Sequence, residues 1–412
     1  MDADRRYENK LVALLFFTWG AVFLDRMSEL YLAPYLVPEF HLTNAQVGLL
    51  ASVLAITWAI SSLVFGAISD RVGRRPILIP TVFVFSMLSW VSGMVHSYHQ
   101  LLFVRALMGV AEGPAWCIMT ALIEESSHAS RRGRNVGLVV SAAALVGLAV
   151  APVLTTQVAA RWGWRSAFFV AGIPGIVMGL LLWKYVREPQ SQLGETVHGR
   201  KIGLRDYFSV LAYRNIWLCC VGATGFMTWL FLQNVFAPLF ITEVAHQSAT
   251  TAGFLLGASG LGSFFLGFLL PALSDRIGRK PTLLLMAAMS TLVPIALLAT
   301  PLYQYPWLLA AIVCTTNAGQ GIATLILVLV PTESVPQRLA ATSIGVATLV
   351  GELIGATVAP VLGGTMAESH GLAFTLWLSA AGTGLLFFAA LFLKKTARAA
   401  EGSAQLRPAN AR

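Results

Sequence analysis

Twelve apolar stretches of about 20 residues or more follow one another along this chain, parted only by short charged or turn-rich breaks. That succession constrains the fold more than any other feature. The stretches lie near 11–36, 46–69, 76–97, 100–123, 135–159, 164–186, 213–241, 251–273, 280–300, 305–330, 339–366 and 371–393. In lipid every backbone N–H and C=O must find its partner within the protein, which leaves helices or closed barrels. The stretches are too long and continuous for barrel strands. The expected fold class is therefore an all-α membrane protein with twelve transmembrane helices. Composition agrees, since only 11% of the residues are charged against about a quarter in soluble domains. The first stretch is too long for a signal-peptide core and lacks a small-residue cleavage site, so it reads as a retained span.

The basic residues fix an orientation. With the N-terminus inside, two of the 28 Lys and Arg, Arg26 and Arg105, fall within spans, and only Arg161 and Arg165 fall in outer loops. By the positive-inside rule both termini are expected in the cytoplasm. The net charge of +9 is then a signature of topology, with the bilayer as partner and no nucleic acid. The polar stretch between the sixth and seventh spans divides the chain into an N-terminal bundle (1–186), a cytoplasmic linker (187–212), a C-terminal bundle (213–394) and a cytoplasmic tail (395–412). Cys117, Cys219, Cys220 and Cys314 all lie in apolar segments without metal-ligand spacing and read as small buried side chains.

Charges inside the spans are the exception that calls for a function, because each costs a few kcal/mol at bilayer depth. The first span carries Asp25, Arg26 and Glu29, with Glu29 one turn beyond Asp25 toward the outer end. The fourth carries Arg105 and Glu112, seven residues apart and so on nearly the same helix face. The spacing predicts that these two helices face each other across a central cavity. A guanidinium stays charged and grips a carboxylate through two parallel hydrogen bonds. A carboxyl in the same cavity exchanges its proton according to whether the neighbouring Arg is free or occupied. A plain packing reading competes with this, in which Arg105 pairs with Glu112 and Asp25 with Arg26, although such buried pairs are often no more stable than apolar replacements.

The C-terminal half offers Gln233, Asn234 and Trp229 in the seventh span and Asn317 and Gln320 in the tenth as candidates to contact a ligand. Glu352 in the eleventh is a lone intramembrane carboxylate in want of a partner. Aromatic residues, among them Trp58 and Phe231, suit either an apolar subsite or ordinary packing. The Gly and Ala runs from Ser141 to Ala151 and from Gly253 to Gly267 read as close helix contacts.

An internal repeat relates the halves. Residues 66–76, GAISDRVGRRP, recur as 271–281, PALSDRIGRKP. Each copy joins the second span of its half to the third, with Gly73 and Gly278 in the tight turn and Pro76 and Pro281 in the next helix's first turn. In this repeat the chain resembles the major facilitator superfamily, whose loop motif is G-x-x-x-D-R-x-G-R-[RK]. The resemblance implies twelve helices in two pseudo-symmetric six-helix bundles that rock about a midplane site. It implies a latch formed by Asp70 with Arg71, Arg74 and Arg134, and a second by Asp275, Arg276 and Arg279. Pro271 stands where the motif has glycine, which predicts looser helix contact and a weaker second latch.

Three finer features resemble the anion:cation symporter branch. They are Leu24-Asp25-Arg26, the R-x-x-x-G-x-x-E-G run from Arg105 to Gly113, and Gly163-Trp164-Arg165-Ser166-Ala167-Phe168-Phe169. This resemblance implies proton-coupled uptake of a small organic anion through a bacterial-type inner membrane. Arg26 and Arg105 would hold the carboxylate, with Asp25 and Glu112, and further Glu29 and Glu352, coupled to protons. The proton is the expected coupling ion, with no other cofactor and no metal, and the protein is expected to act as a monomer. The alternative within the superfamily is a proton-coupled exporter of drugs or metabolites. No phosphate-binding loop and no nucleophile and base arrangement occurs, so an enzyme is not expected.

Overall fold

The computed structural model describes residues 2–128, 130–188, 209–336 and 339–394. The expected linker falls largely outside the described residues and the expected tail wholly so. Among the described residues, twelve helices are long and apolar enough to cross a membrane, as the segment lengths predict. They are α1 (Arg5–Phe40), α2 (Asn44–Ser69), α3 (Arg75–Ser92), α4 (Tyr98–Ser126), α5 (Arg132–Trp162), α6 (Trp164–Tyr185), α7 (Arg214–Val244), α8 (Ala249–Ile277), α9 (Arg279–Leu298), α10 (Pro306–Glu333), α11 (Thr342–His370) and α12 (Ala373–Leu391). No strand occurs among the described residues.

Local chemistry sets the breaks between spans. Thr43 and Gln46 form a reciprocal capping box at the start of α2, and Ser97 and Ser248 accept from Gln100 N and Thr251 N to cap α4 and α8. Such caps satisfy orphan amides of the first turn. The turns after α2 and α8 pass through Gly73 and Gly278 at φ 108° and 101°, a region that a side chain disfavours.

The repeat extends well beyond the loop motif. α5 widens into a π-helical stretch at Ala143–Val150, and its counterpart α11 does the same at Gly351–Val358. Each is followed by Ala-Pro, at Pro152 and Pro360. A proline supplies no N–H and its ring crowds the preceding turn, so the helix opens there.

The two halves meet through two equivalent seams. α2 packs on α11, and α5 packs on α8. Gly48 and Gly364 of the first seam lie directly on the backbones of Pro360 and Asn44. In the second, Gly253, Gly257 and Gly260 lie on Pro152, Ala149 and Leu148, which bears out the reading of the Gly and Ala runs as close contacts. Hydrogen bonds cross the first seam from Ser52 Oγ to Thr357 O and from Ala45 N to Glu368 Oε1, the latter at 3.2 Å. All these residues lie in the half of the bundle opposite the chain ends, here called the far end. Among the described residues the contacts between halves concentrate there and at the middle.

Candidate functional site

α1 brings Asp25, Arg26 and Glu29 to the centre of the bundle, where all three are buried. Glu29, one turn beyond Asp25 toward the outer end, is buried like the other two because α1 runs on to Phe40. Around this core stand Arg105 and Glu112 of α4, Ser89 of α3 and Glu352 of α11. α1 and α4 do face each other here, with Arg105 and Glu29 in direct contact between them.

The ion pairs differ from both local pairings considered above. Arg105 Nε contacts Glu29 Oε2 at 2.5 Å, and its Nη2 donates to the carbonyl of Arg26 at 3.1 Å. Arg26 Nη2 stands 3.7 Å from Glu352 Oε2, so this guanidinium is shared between the N-terminal and C-terminal halves. The Arg26 guanidinium also lies 5.2 Å from the Trp58 ring centroid and 5.5 Å from that of Phe231. These rings come from α2 and α7, one from each half, and satisfy a cation without using its N–H donors. Arg26 Nε and Arg105 Nη1 have no hydrogen-bond partner among the described residues.

Asp25 and Glu112 are left over from this pairing. Both oxygens of each are buried with no hydrogen-bond partner among the described residues. Asp25 lies beside Ser89 and Arg105, and Glu112 lies within electrostatic reach of Asp25, Arg26 and Arg105. Four carboxyl groups thus share two guanidiniums in a buried setting. Buried polar atoms without partners are rare and mark sites completed by something else, such as a ligand, an ion or water.

The candidates of the C-terminal half divide. Trp229 Nε1 and Gln233 Oε1 of α7 are buried and unpartnered among the described residues, so both remain available to a ligand. Asn234 is engaged: its Oδ1 accepts from Tyr31 OH of α1 at 2.9 Å, and its Nδ2 donates to Leu230 O. Asn317 is engaged too. Its Nδ2 donates to Ser259 Oγ at 2.7 Å, while its Oδ1 accepts from Gly319 N and so bridges a break in α10. Gln320 is half-buried and its side chain lies over Gly267 of α8. Asn317 thus holds the break in α10, and the aliphatic part of Gln320 packs on α8. Tyr31 was not singled out by the sequence, because a tyrosine in an apolar helix carries no charge signal.

At the end of the bundle where the chain ends lie, the repeated loops each hold a basic clasp. Arg279 Nη1 pairs with Asp275 Oδ1 at 2.6 Å and its Nη2 with Glu333 Oε1 at 2.8 Å. Pro271 is buried within α8, and the second clasp forms with it in place. In the first copy Arg74 pairs with Glu125 at 3.1 Å and donates to Ser69 Oγ at 2.8 Å. The side chain of Asp70 lies outside the described residues. Arg71, Arg134 and Arg276 are exposed and form no ion pair among the described residues. The acids that complete the clasps, Glu125 and Glu333, close α4 and α10 at equivalent places and were not singled out by the sequence.

Among the described residues no group of His, Cys, Asp and Glu could hold a metal ion. The four cysteines are free.

Comparison with known proteins places this geometry in a lineage. The description "Major Facilitator Superfamily" matches residues 14–356. The chain is 31% identical over 292 residues to a "Probable 4-methylmuconolactone transporter" of Cupriavidus pinatubonensis, covering 69% of this chain and 67% of that one. It is 27% identical over 384 residues to the "Cis,cis-muconate transport protein" of Acinetobacter baylyi, covering 87% and 91%. A crystal structure of a bacterial homologue of the human lysosomal transporter Spinster, inward-facing and unoccupied, superposes with a TM-score of 0.75 at 19% identity, over 93% and 97% of the two chains.

Proposed function

The chain belongs to the major facilitator superfamily and is a transporter, not an enzyme, and from that premise we propose that it takes up a small organic acid together with a proton by alternating access. The observation that carries this reading is the imbalance at the centre. Two buried guanidiniums are each engaged by one carboxylate, and two further carboxyls stand without hydrogen-bond partners.

An incoming carboxylate binds Arg26 or Arg105 only by displacing Glu352 or Glu29. The displaced acid is then a charge at bilayer depth with no counter-ion, and a proton neutralises it. Asp25 and Glu112, within reach of the same guanidiniums, relay that proton or hold a second one. Anion and proton therefore assist each other's binding, and by linkage the assistance is reciprocal. With the far end closed by the glycine seams, a loaded and electrically balanced centre is free to exchange one closed end for the other.

The substrate class follows from what surrounds the guanidiniums. Trp58 and Phe231 give flat apolar walls, and along the same helix as Phe231 the Trp229 Nε1 and Gln233 Oε1 atoms are unused among the described residues. The rings of Trp58 and Phe231 beside Arg26 suit a carboxylate with an unsaturated or aromatic body, in keeping with the organic acids named for the two relatives. The proton is the coupling ion, and the protein works as a monomer in a cytoplasmic membrane with both termini inside.

The deciding experiment is uptake into proteoliposomes of labelled muconate, hydroxyphenylpropionate and sugar acids, with and without an inward pH gradient. Accumulation of an acid that requires the gradient, and its loss in Arg26→Ala and Arg105→Ala, is expected. Accumulation that ignores the gradient sinks the coupling, and retention in both Arg variants sinks the site.

A further inference from the structure

Away from the central site, the end of the bundle that bears the chain ends holds an open hollow of about 920 Å³ between the start of α1, the start of α3 and the end of α6. Five cationic side chains line it: Arg6, Lys10, Arg75, Lys184 and Arg187. None of the five forms an ion pair among the described residues. The one acid in the hollow, Glu188, is spent on the backbone. Its two oxygens accept from Arg74 N at 2.6 Å and Arg75 N at 2.9 Å, at the beginning of α3.

Aromatic rings hold the cations in place without neutralising them. Lys10 Nζ sits 3.2 Å from the Tyr185 ring centroid and Lys184 Nζ 5.3 Å from it, while the Arg187 guanidinium lies 5.2 Å from the Tyr7 ring. A face of a ring preserves the positive charge for a further partner. Arg75 donates one N–H to Trp183 O at 2.6 Å, and its Nε is buried with no partner among the described residues. Five cations converging around a single carboxylate, itself bonded to backbone N–H groups, leave an excess of positive charge that forms a site for an anion with several oxygens.

A second observation says what carries that anion. Along α6 the exposed residues Ile173, Val177 and Leu180 form a stripe at helical spacing that leads up to Lys184 at the rim. Trp183 beside it is 62% exposed, as suits an aromatic at the membrane interface. An acyl chain laid on the stripe brings its headgroup to the hollow, whereas a soluble anion gains nothing from it.

We propose that this hollow binds the phosphodiester headgroup of an anionic phospholipid, whose tails run down α6. Bound there, the lipid fastens the start of α1 to α3 and α6, all within the N-terminal half. Basic pockets between helices at the interface recognise anionic headgroups in this way. The proposal rests on the membrane-spanning fold and is independent of the transported substrate.

The test uses the full chain in nanodiscs of phosphatidylcholine with a minor share of phosphatidylglycerol, read by native mass spectrometry of the lipids that remain after delipidation. The wild type is expected to retain phosphatidylglycerol, and Lys10→Gln/Lys184→Gln/Arg187→Gln to lose about tenfold or more of it, since charge near the surface dominates the binding. Lys280→Gln/Lys394→Gln, which alters the other half, is expected to retain it, as is the charge-conserving Lys10→Arg/Lys184→Arg. For the wild type alone, raised salt must weaken retention. Equal retention in the triple Gln variant overturns the proposal, as does retention indifferent to salt. Complete displacement of the lipid by inorganic phosphate also overturns it, since that identifies a site for soluble anions.

Discussion

Arg26 and Glu352 reach each other across the boundary between the two halves, with Nη2 3.7 Å from Oε2. Their helices, α1 and α11, belong to bundles that must separate and re-form contacts in any alternating cycle. The pair is therefore a bond between halves, and in the proposed cycle it is the one that an anion undoes. Glu352→Gln keeps the volume of the side chain and removes its charge. It is expected to leave substrate binding intact or stronger while abolishing accumulation above equilibrium in a pH gradient. Equilibrium binding by calorimetry alongside proteoliposome uptake separates the two effects, and wild-type accumulation in this variant removes Glu352 from the mechanism.

Arg105 bonds Glu29 and the Arg26 carbonyl at once, so its loss has two consequences. Arg105→Ala strands a buried Glu29, which by analogy with broken buried pairs costs about 3–5 kcal/mol of stability. The double change Glu29→Gln/Arg105→Gln leaves no stranded charge and is expected to recover most of that loss in thermal unfolding, while substrate binding stays absent. Arg105→Lys keeps the charge but not the forked donor geometry, and a loss of affinity of about tenfold or more is expected. Equal melting temperatures for Arg105→Ala and the double variant contradict the pairing.

Proton dependence is expected to divide the acids by function. On the proposed coupling of proton to anion, uptake is expected to rise as the pH on the entry side falls. In Asp25→Asn and Glu112→Gln that dependence is expected to flatten, and net accumulation to disappear, while exchange of labelled for unlabelled substrate continues. Initial rates across a pH series, measured for net uptake and for exchange, provide the comparison. A wild-type profile in both carboxamide variants leaves Glu29 and Glu352 as the only titrating partners of the guanidiniums.

Much of this architecture was legible because membranes impose one-dimensional rules. Segment length gave the twelve helices, and charges that lipid does not tolerate marked Asp25, Arg26, Arg105 and Glu112. The copied SDR loops announced the symmetry, which the structure extends to the π-helical stretches before Pro152 and Pro360. What the sequence left dark depends on tertiary contact. Arg105 had Glu112 on its own face, yet it bonds Glu29 on another helix, because a neighbour one helix away is closer than one two turns along. Tyr31 and Asn234 meet across the two halves, and nothing in either local sequence announces the other. Glu125 and Glu333 carry no signal in the local sequence that the folded loops set Arg74 and Arg279 against them.

The glycine seams make a last prediction about movement. A Cβ built on Gly260 meets the backbone of Leu148 and Ala149, and one on Gly48 meets the carbonyl of Pro360. Backbone atoms cannot rotate away as a side chain can, so a larger residue at either position must part the helices. Gly260→Val and Gly48→Val alter contacts between halves and leave most of each half's own packing in place, so both are expected to fold. They are also expected to hold the far end apart, raising reactivity of cysteines introduced near Asn44 and His370 toward a membrane-impermeant thiol reagent. Transport is expected to fall by about tenfold or more, because closing that end becomes unfavourable. Gly384, in α12, has open space where a Cβ would stand. Gly384→Ala is therefore expected to transport normally and to gain about 0.5–1 kcal/mol of stability from the lost flexibility of a glycine within a helix. If Gly260→Val and Gly384→Ala transport alike, the two seams are not the surfaces on which the halves close.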